Sequence, residues 1–490
     1  MNRRISIFLL ALVTSVIVSV DASAQSYVLL GWNDLGMHCS NKDFSKIAVL
    51  PPYNNIHAQL VMKSQDGADL VTNGYTVSYS IPGNTYSVGK TNFWTYAQQL
   101  FSLPAPLTPN IGLTGNGLTG NLQINGNGFL ATGIPVTPFQ DTNLVKEKPY
   151  QLIRLVARSA ATSAILATTD VVIPVSNEIS CVKSGCHNSE QAILNSHDEV
   201  DGKFNRNGPV LCASCHASNA LGTTGMAEAK SLSYRIHKEH ADKLDKLGKS
   251  KSSKLAVCYN CHPGPNTKCY RDVMLTDAQK VCQDCHGNMA KVASTIQENG
   301  RRPWLDEPKC GTCHTTKYAE EPGKLYRESK GHGGLYCSSC HGSPHAIVPT
   351  TQANDNLQNL RLQGFAGTLT TCTVCHPSKP AGAGPHGVMY KEDGTSTVPS
   401  GYELGDIYPN PLSSAMNSSA VIDFRLPEDS YVTLLIHDAS GRQVASLLDG
   451  KQSAGLHTET IDLSALHPGI YLYTLRTGAF SATKKLVVLR

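Results

Sequence analysis

Seven times between Cys181 and His376 a pair of cysteines is followed at once by a histidine. The groups are Cys181/Cys186/His187, Cys212/Cys215/His216, Cys258/Cys261/His262, Cys282/Cys285/His286, Cys310/Cys313/His314, Cys337/Cys340/His341 and Cys372/Cys375/His376, and they use fourteen of the sixteen cysteines. In six of them the spacing is Cys-x-x-Cys-His, which sets residues i, i+3 and i+4 on one face of a helical turn. Two thiols on that face reach the two vinyl groups of one porphyrin while the imidazole meets its iron, so the spacing is that of c-type haem attachment. The first group has four residues between its cysteines. Its backbone must bulge by two residues to bring both sulfurs under one ring.

Structural zinc would need four Cys/His ligands converging from two knuckles, and that geometry does not call for a histidine after every second cysteine. Disulfides between cysteines this close in sequence leave the same short turn and gain little from closure. Seven covalent haem c groups are the expectation, one per motif.

The motif starts are 31, 46, 24, 28, 27 and 35 residues apart, leaving little more than a short helix and a loop per cofactor. Only Phe204, Phe365 and Trp304 supply large Phe or Trp side chains from 181 to 376. Porphyrins would make up that apolar bulk and pack against one another, and the irregular spacing argues against a solenoid of one fixed repeat. Six further histidines lie here: His197, His237, His240, His332, His345 and His386. They are the expected sixth ligands of the irons. His237 and His240 share a helix face, and the Gly- and Pro-flanked histidines would be presented from loops. Methionine is the alternative ligand, with Met226, Met274, Met289 and Met389 available, and would raise the potential. Seven irons need seven partners, so the last would come from His57 or His38, in this chain or in a second copy. The Pro51-Pro52-Tyr-Asn-Asn55 run could project His57 from a loop, whereas His38 adjoins Cys39. Cys39 and Cys269 are left over, as an exported disulfide, a longer-range thioether donor or a free thiol.

Residues 1–24 read as a signal peptide: Arg3 and Arg4, an apolar run from Ile5 to Val20, then Ala22-Ser23-Ala24 before a cut at Gln25. No later stretch is long and apolar enough to span a membrane, so the mature chain should have no transmembrane segment. Residues 25–178 alternate β-branched and aromatic runs, such as Tyr75–Tyr79 and Tyr150–Val156, with Gly/Asn/Pro punctuation. The runs Leu152–Ala157 and Ala164–Pro174 look like a hairpin. The expected architecture is multidomain, with an N-terminal β-sandwich and then a haem-packed helix/loop region with little regular structure over 179–390. A linker over 391–403 and a small C-terminal β-sandwich over 404–490 follow. The formal net charge of +4 is too small and dispersed to argue for nucleic acid. Within 181–376, 23 Lys and Arg face 18 Asp and Glu. Lysines such as Lys243, Lys246, Lys249, Lys251 and Lys254 either offset haem propionates or form a solvated helix face.

The C-terminal part closely resembles the sorting domain of type IX secretion substrates. The resemblance rests on Tyr408-Pro-Asn-Pro411, Leu426-Pro427, Asp438 with Gly441-Arg442, Ala454-Gly455-Leu-His457, Gly469-Ile-Tyr471 and the terminal Lys484–Arg490. It implies carriage from the periplasm across the outer membrane by the type IX machinery, with removal of the domain. Residues 25–390 resemble the exported multihaem c-type cytochromes of extracellular electron transfer, through the haem motifs, Asn33–Cys39, Arg301–Glu307 and His332–Cys337. That resemblance implies a bis-histidine haem chain in a secreted or cell-surface electron carrier. Its redox partners would be other cytochromes or an extracellular acceptor, and some members of the family polymerise into filaments. The rival is a multihaem reductase of a small nitrogen or sulfur oxyanion, which needs one iron with an open face. No motif here has lysine in place of histidine, and histidines are numerous enough for every iron.

Overall fold

The computed structural model describes residues 26–177 except 66, then 181–182, 186–201, 208–247, 251–264, 267–314, 319–380, 385–387 and 402–489, the last with gaps at 409, 411, 414–418, 453–454 and 463–464. The signal peptide and most of the linker lie outside the described residues.

The N-terminal part is built on ten strands: β1 (Ser26–Trp32), β2 (His38–Cys39), β3 (Ile47–Ala48), β4 (Ile56–Ser64), β5 (Gly67–Val71), β6 (Tyr75–Ser80), β7 (Thr119–Asn125), β8 (Gly128–Ala131), β9 (Tyr150–Ser159) and β10 (Ile165–Ser176). Where the sequence suggests two stacked sheets, nine of these strands form one continuous sheet. Its order is β1-β4-β8-β7-β6-β9-β10-β2, with β5 on the outside of β4. The β7–β8 hairpin keeps the hydrogen-bond ladder unbroken between the two halves, and the sheet then curls so that one half faces the other. Leu29, Ile56 and Leu60 from one half pack with Val77, Ile153 and Leu155 from the other. Period-2 alternation therefore still points apolar side chains inward, as a sandwich would require. The expected hairpin is present as β9 and β10, paired antiparallel from Ile165↔Arg158 to Pro174↔Tyr150.

Beyond β10 the chain forms short helices at Glu190–Asp201, Leu232–Leu244, Lys251–Tyr259, Met289–Asn299 and Ala353–Gln363. This part is locked to the curled sheet by polar contacts. Gln358 accepts from Gly31 N–H at 2.7 Å, Arg361 bonds Asp170 at 2.7 Å, and Gln59 accepts from Tyr336 N–H at 3.0 Å. Even the strand pairing crosses over, with Val210–Leu211 running parallel to β3. No helix among the described residues is long and apolar enough to cross a membrane.

The C-terminal part is a small sandwich. A three-stranded sheet (Glu403–Tyr408, Ser419–Leu426, Gly455–Asp462) faces a five-stranded one in which Ser430–Asp438 and Gly469–Arg476 are central. Phe424, Leu434, Tyr473 and Leu486 fill the space between them. The Asp438 carboxylate closes the turn at Gly441 by accepting from the backbone of Ser440 and Arg442.

Candidate haem sites

Each regular motif forms the one helical turn its spacing demands. Cys212–Cys215, Cys282–His286 and Cys337–His341 are α-helical turns, while Cys310–Thr312 and Cys372–Val374 are tighter 3₁₀ turns. The histidine N–H returns to the carbonyl of the first cysteine at 3.0 Å for His216, and at 2.9 Å for His262, His314 and His376. In the irregular first motif, His187 N–H still reaches the Cys181 carbonyl at 3.2 Å, so the histidine keeps its place relative to the first cysteine despite the longer spacing.

The second motif departs from the expectation of two equivalent thiols side by side under one ring. The Cys212 thiol is buried, which pushes it up to about 12. Cys215 instead rests its Sγ against the hydroxyl of its neighbour Ser214 at 3.8 Å, and its carbonyl accepts from Met226 N–H at 2.7 Å. The physical reason is local: Ser214 precedes Cys215 in the same turn and is exposed, so its hydroxyl falls beside the sulfur. A thiol is a weak hydrogen-bonding group, so the contact gives Cys215 a different setting from Cys212 without tying it down. The same neighbour contact recurs at Cys340, with Ser339 at 3.9 Å, and at Cys313, with Thr312 at 4.0 Å.

The six additional histidines are each brought against a motif histidine, one to one. Ring centres lie 6.3 Å apart for His187 and His240, 6.1 Å for His216 and His197, and 6.2 Å for His262 and His237. They lie 6.1 Å apart for His286 and His345, 6.0 Å for His341 and His386, and 5.9 Å for His376 and His332. A metal–imidazole bond of about 2 Å plus roughly 1.1 Å from nitrogen to ring centre, counted on both sides, gives about 6.2 Å for two imidazoles on one iron. The protein alone thus holds six imidazole pairs at the separation a bis-histidine haem requires.

Local bonds orient these rings. The Nδ1 atoms of His216, His237 and His240 donate to the carbonyls of Lys230 (2.6 Å), Ser233 (2.7 Å) and Ile236 (2.8 Å). A carbonyl can only accept, so Nδ1 carries the proton and the Nε2 lone pair is left for a metal. His237 and His240 project from the helix Leu232–Leu244, capped by Ser231, and serve two different motif histidines. His345 and His386 sit in left-handed backbone, at φ 64° and 60°, a conformation costly for a residue with a Cβ and concentrated at functional sites. Burial, followed by the His237 and His286 rings respectively, lowers His262 and His345 to about 4. Both therefore stay neutral, as a ligand must.

His314, Cys310 and Cys313 form the remaining turn, but among the described residues no second imidazole ring stands against His314. His38 and His57 are not brought there. His38 is buried with its Nε2 on the Asp34 carboxylate at 2.8 Å and Trp304 edge-on at 6.2 Å. His57 lies in β4, stacked on Trp32 at 5.6 Å, and burial lowers its pKa.

The stretch around His38 has a different relation to the motifs, one that counting histidines does not reveal. Gly36 packs on the carbonyl of Pro344, Ser343 Oγ donates to the Asn33 carbonyl, and Arg271 donates to the Gly36 carbonyl at 2.8 Å. Arg271 N–H also holds the His345 carbonyl at 3.1 Å. The segment is a buttress for the His345 hairpin. The sequence signal for it is Gly36 set between polar residues, a glycine where backbones must approach closely.

Among the described residues no disulfide joins Cys39 to Cys269. Cys269 lies instead beside Cys282, and burial, then that neighbour, pushes its thiol up to about 12. No group of three His, Cys, Asp or Glu side chains among the described residues converges as a metal-ion cage, so nothing there has the form of a zinc knuckle.

Residues 406–489 match the family of the secretion system C-terminal sorting domain. Residues 288–342, which span the motifs ending at His314 and His341, match the family of cytochrome c554 and c-prime. This is a cytochrome-like chain with a type IX sorting tail. The tail marks it for export to the cell surface or beyond, and the cytochrome match brings haem c and electron transfer with it. No curated protein matches the chain. Among solved structures, PorZ, a bacterial surface component of the type IX secretion system of Porphyromonas gingivalis, is 18% identical over 20% of this chain and 13% of its own length, with a TM-score of 0.14. A glycosyl hydrolase family 2 member from Bacteroides cellulosilyticus is 9% identical over 95% of this chain and 79% of its own, with a TM-score of 0.16. Neither superposition is close enough to carry a shared fold.

Proposed function

We propose that this chain is an exported multihaem c-type cytochrome that carries electrons at the cell surface or outside it, with seven haem c groups held by the seven motifs. The observation that carries this reading is the one-to-one facing of six motif histidines by His240, His197, His237, His345, His386 and His332. Haem c supplies a reversible one-electron iron couple. The protein's part is to hold the rings covalently, fix the axial imidazoles by their Nδ1 bonds, and fill both axial positions of six irons so that no substrate can bind there. For the seventh, His57 is the better candidate of the two remaining histidines, since His38 is tied to Asp34. The ligand comes from the same chain or from a second copy, and in the latter case capping would join the rows of two copies into a filament.

The mature chain in this reading begins at Gln25 and ends in the linker after the haem region, its sorting tail removed. Donor and acceptor are other cytochromes or an extracellular oxidant. Intact mass of the exported protein should exceed the polypeptide by seven haems, and reductive titration should take up seven electrons per chain. A mass increment of six would mean that Cys181/Cys186/His187 is not a site, and failure to take up electrons reversibly would remove the reading.

A second reading is favoured by one observation, the absence of a paired imidazole at His314 among the described residues. An iron held there with an open face could reduce a small nitrogen or sulfur oxyanion. Nitrite, hydroxylamine or sulfite consumed with electrons from the reduced protein, and lost on blocking one site with cyanide, would support it.

A further inference from the structure

The histidine pairs tie together motifs that are not always consecutive. The single helix Leu232–Leu244 faces both His187 and His262, through His240 and His237, so the first and third motifs are neighbours. The helix Glu190–Asp201, which follows the first motif, faces the second through His197. At the other end the exchange is reciprocal: His332, just before the sixth motif, faces His376 of the seventh, and His386, just after the seventh, faces His341 of the sixth.

The motif thiols sharpen this. Cys258 and Cys282 are in hydrogen-bond contact, which places the third motif against the fourth. The remaining cross-motif neighbours are Cys181 beside Cys212, Cys181 and Cys186 beside Cys261, Cys313 beside Cys285, Cys337 beside Cys310, and Cys340 beside Cys375. From the third motif to the sixth, each uses one cysteine toward one neighbour and its other cysteine toward the next. The second and seventh motifs each have a neighbour on one side.

We propose that the seven haems form one unbranched row whose order departs from the sequence, running through the motifs of His216, His187, His262, His286, His314, His341 and His376. The inference rests on the electron-carrier reading and adds its route. Electrons enter and leave at the His216 and His376 ends, one lost by the donor for each gained by the acceptor. The first motif, although first in the chain, is an interior link, and the His314 haem is also interior, so a change in its ligation acts on through-traffic and not on docking.

Anomalous scattering from iron in crystals of the haem-loaded protein tests the order directly. The expected result is that the iron of His187 lies between those of His216 and His262, with the iron of His314 between those of His286 and His341. An iron of His216 lying between those of His187 and His262, or an iron of His314 at an end of the row, would overturn the order. A haem count by mass on the same sample reports separately on the electron-carrier reading. Solution potentials give a second route. The paired distal substitutions His240→Met and His237→Met should shift the midpoints non-additively, whereas His197→Met and His237→Met should be additive. The reverse pattern would sink the proposed order.

Discussion

Gly36 lies hard against Pro344, at a point where a Cβ would overlap the Pro344 carbonyl oxygen. The next residue along, His345, faces His286 across 6.1 Å. A loop of the N-terminal sheet therefore sets the position of a histidine in the haem region.

Gly36→Ala should be costly for that reason. The new methyl meets backbone, and the residue also has φ 74°, so overpacking and conformational strain together should cost about 1–3 kcal/mol. The expected signature is a lowered urea midpoint with a change in the spin state of a single haem. An unchanged spectrum would show that the His345 hairpin is held without the loop.

Arg271 is the other half of that junction. Its side chain is buried and pairs with Asp355 through two bonds of 2.6 and 2.8 Å, with Tyr150 stacked over the guanidinium at 4.7 Å. Asp355→Ala leaves a buried unpaired charge and should destabilise the protein by about 3–5 kcal/mol. Because the arginine also holds Gly36 and His345, the loss should be larger in the haem-loaded protein than a surface ion pair would give, read as the denaturant midpoint of each variant.

Much of this site is legible in the sequence because covalent haem attachment is a local device. The turn from Cys to Cys to His needs only five residues, and the six additional histidines stand out against a region with few other candidates. The unlike settings of Cys212 and Cys215 are not legible, since the motif treats its two cysteines alike and burial is decided by what packs on each. The pairing is less legible too. His345 follows His341 by four residues yet faces His286, because the strands Gly342–Ser343 and Ala346–Ile347 turn the chain back on itself and the left-handed tip at His345 aims the ring away from its own motif. The N-terminal β region is legible from its alternation, but alternation is the same in two stacked sheets and in one curled sheet. The β7–β8 ladder that decides between them is a long-range pairing consequence. The role of Gly31–Cys39 as a buttress is invisible to a count of histidines, since it works through carbonyls and a glycine.

The sorting tail gives a prediction about place. Deleting Leu404–Arg490 should leave haem-loaded protein in the periplasm, while the full-length chain yields an exported form that begins at Gln25 and lacks the tail. Fractionation and N-terminal sequencing check both points, and a truncated chain that still reaches the surface or medium would remove the tail's role.

The seventh ligand separates two histidines with different surroundings. His38→Ala should lower stability by removing a partner from buried Asp34 and leave every haem low-spin. His57→Ala should turn one haem high-spin. If it does so only in assembled protein, the ligand comes from a second copy; if it does so in the monomer, the contact is within the chain. Both variants keeping all haems low-spin would show that the N-terminal sheet supplies no ligand.

The most direct test of the central claim is the electron paramagnetic resonance spectrum of the oxidised, haem-loaded protein, integrated per chain. Six histidine pairs at 5.9–6.3 Å predict at least six low-spin bis-imidazole irons, with the His314 iron alone able to differ. Two or more high-spin irons per chain would contradict the account, because at least one of the six pairs would then not share a metal.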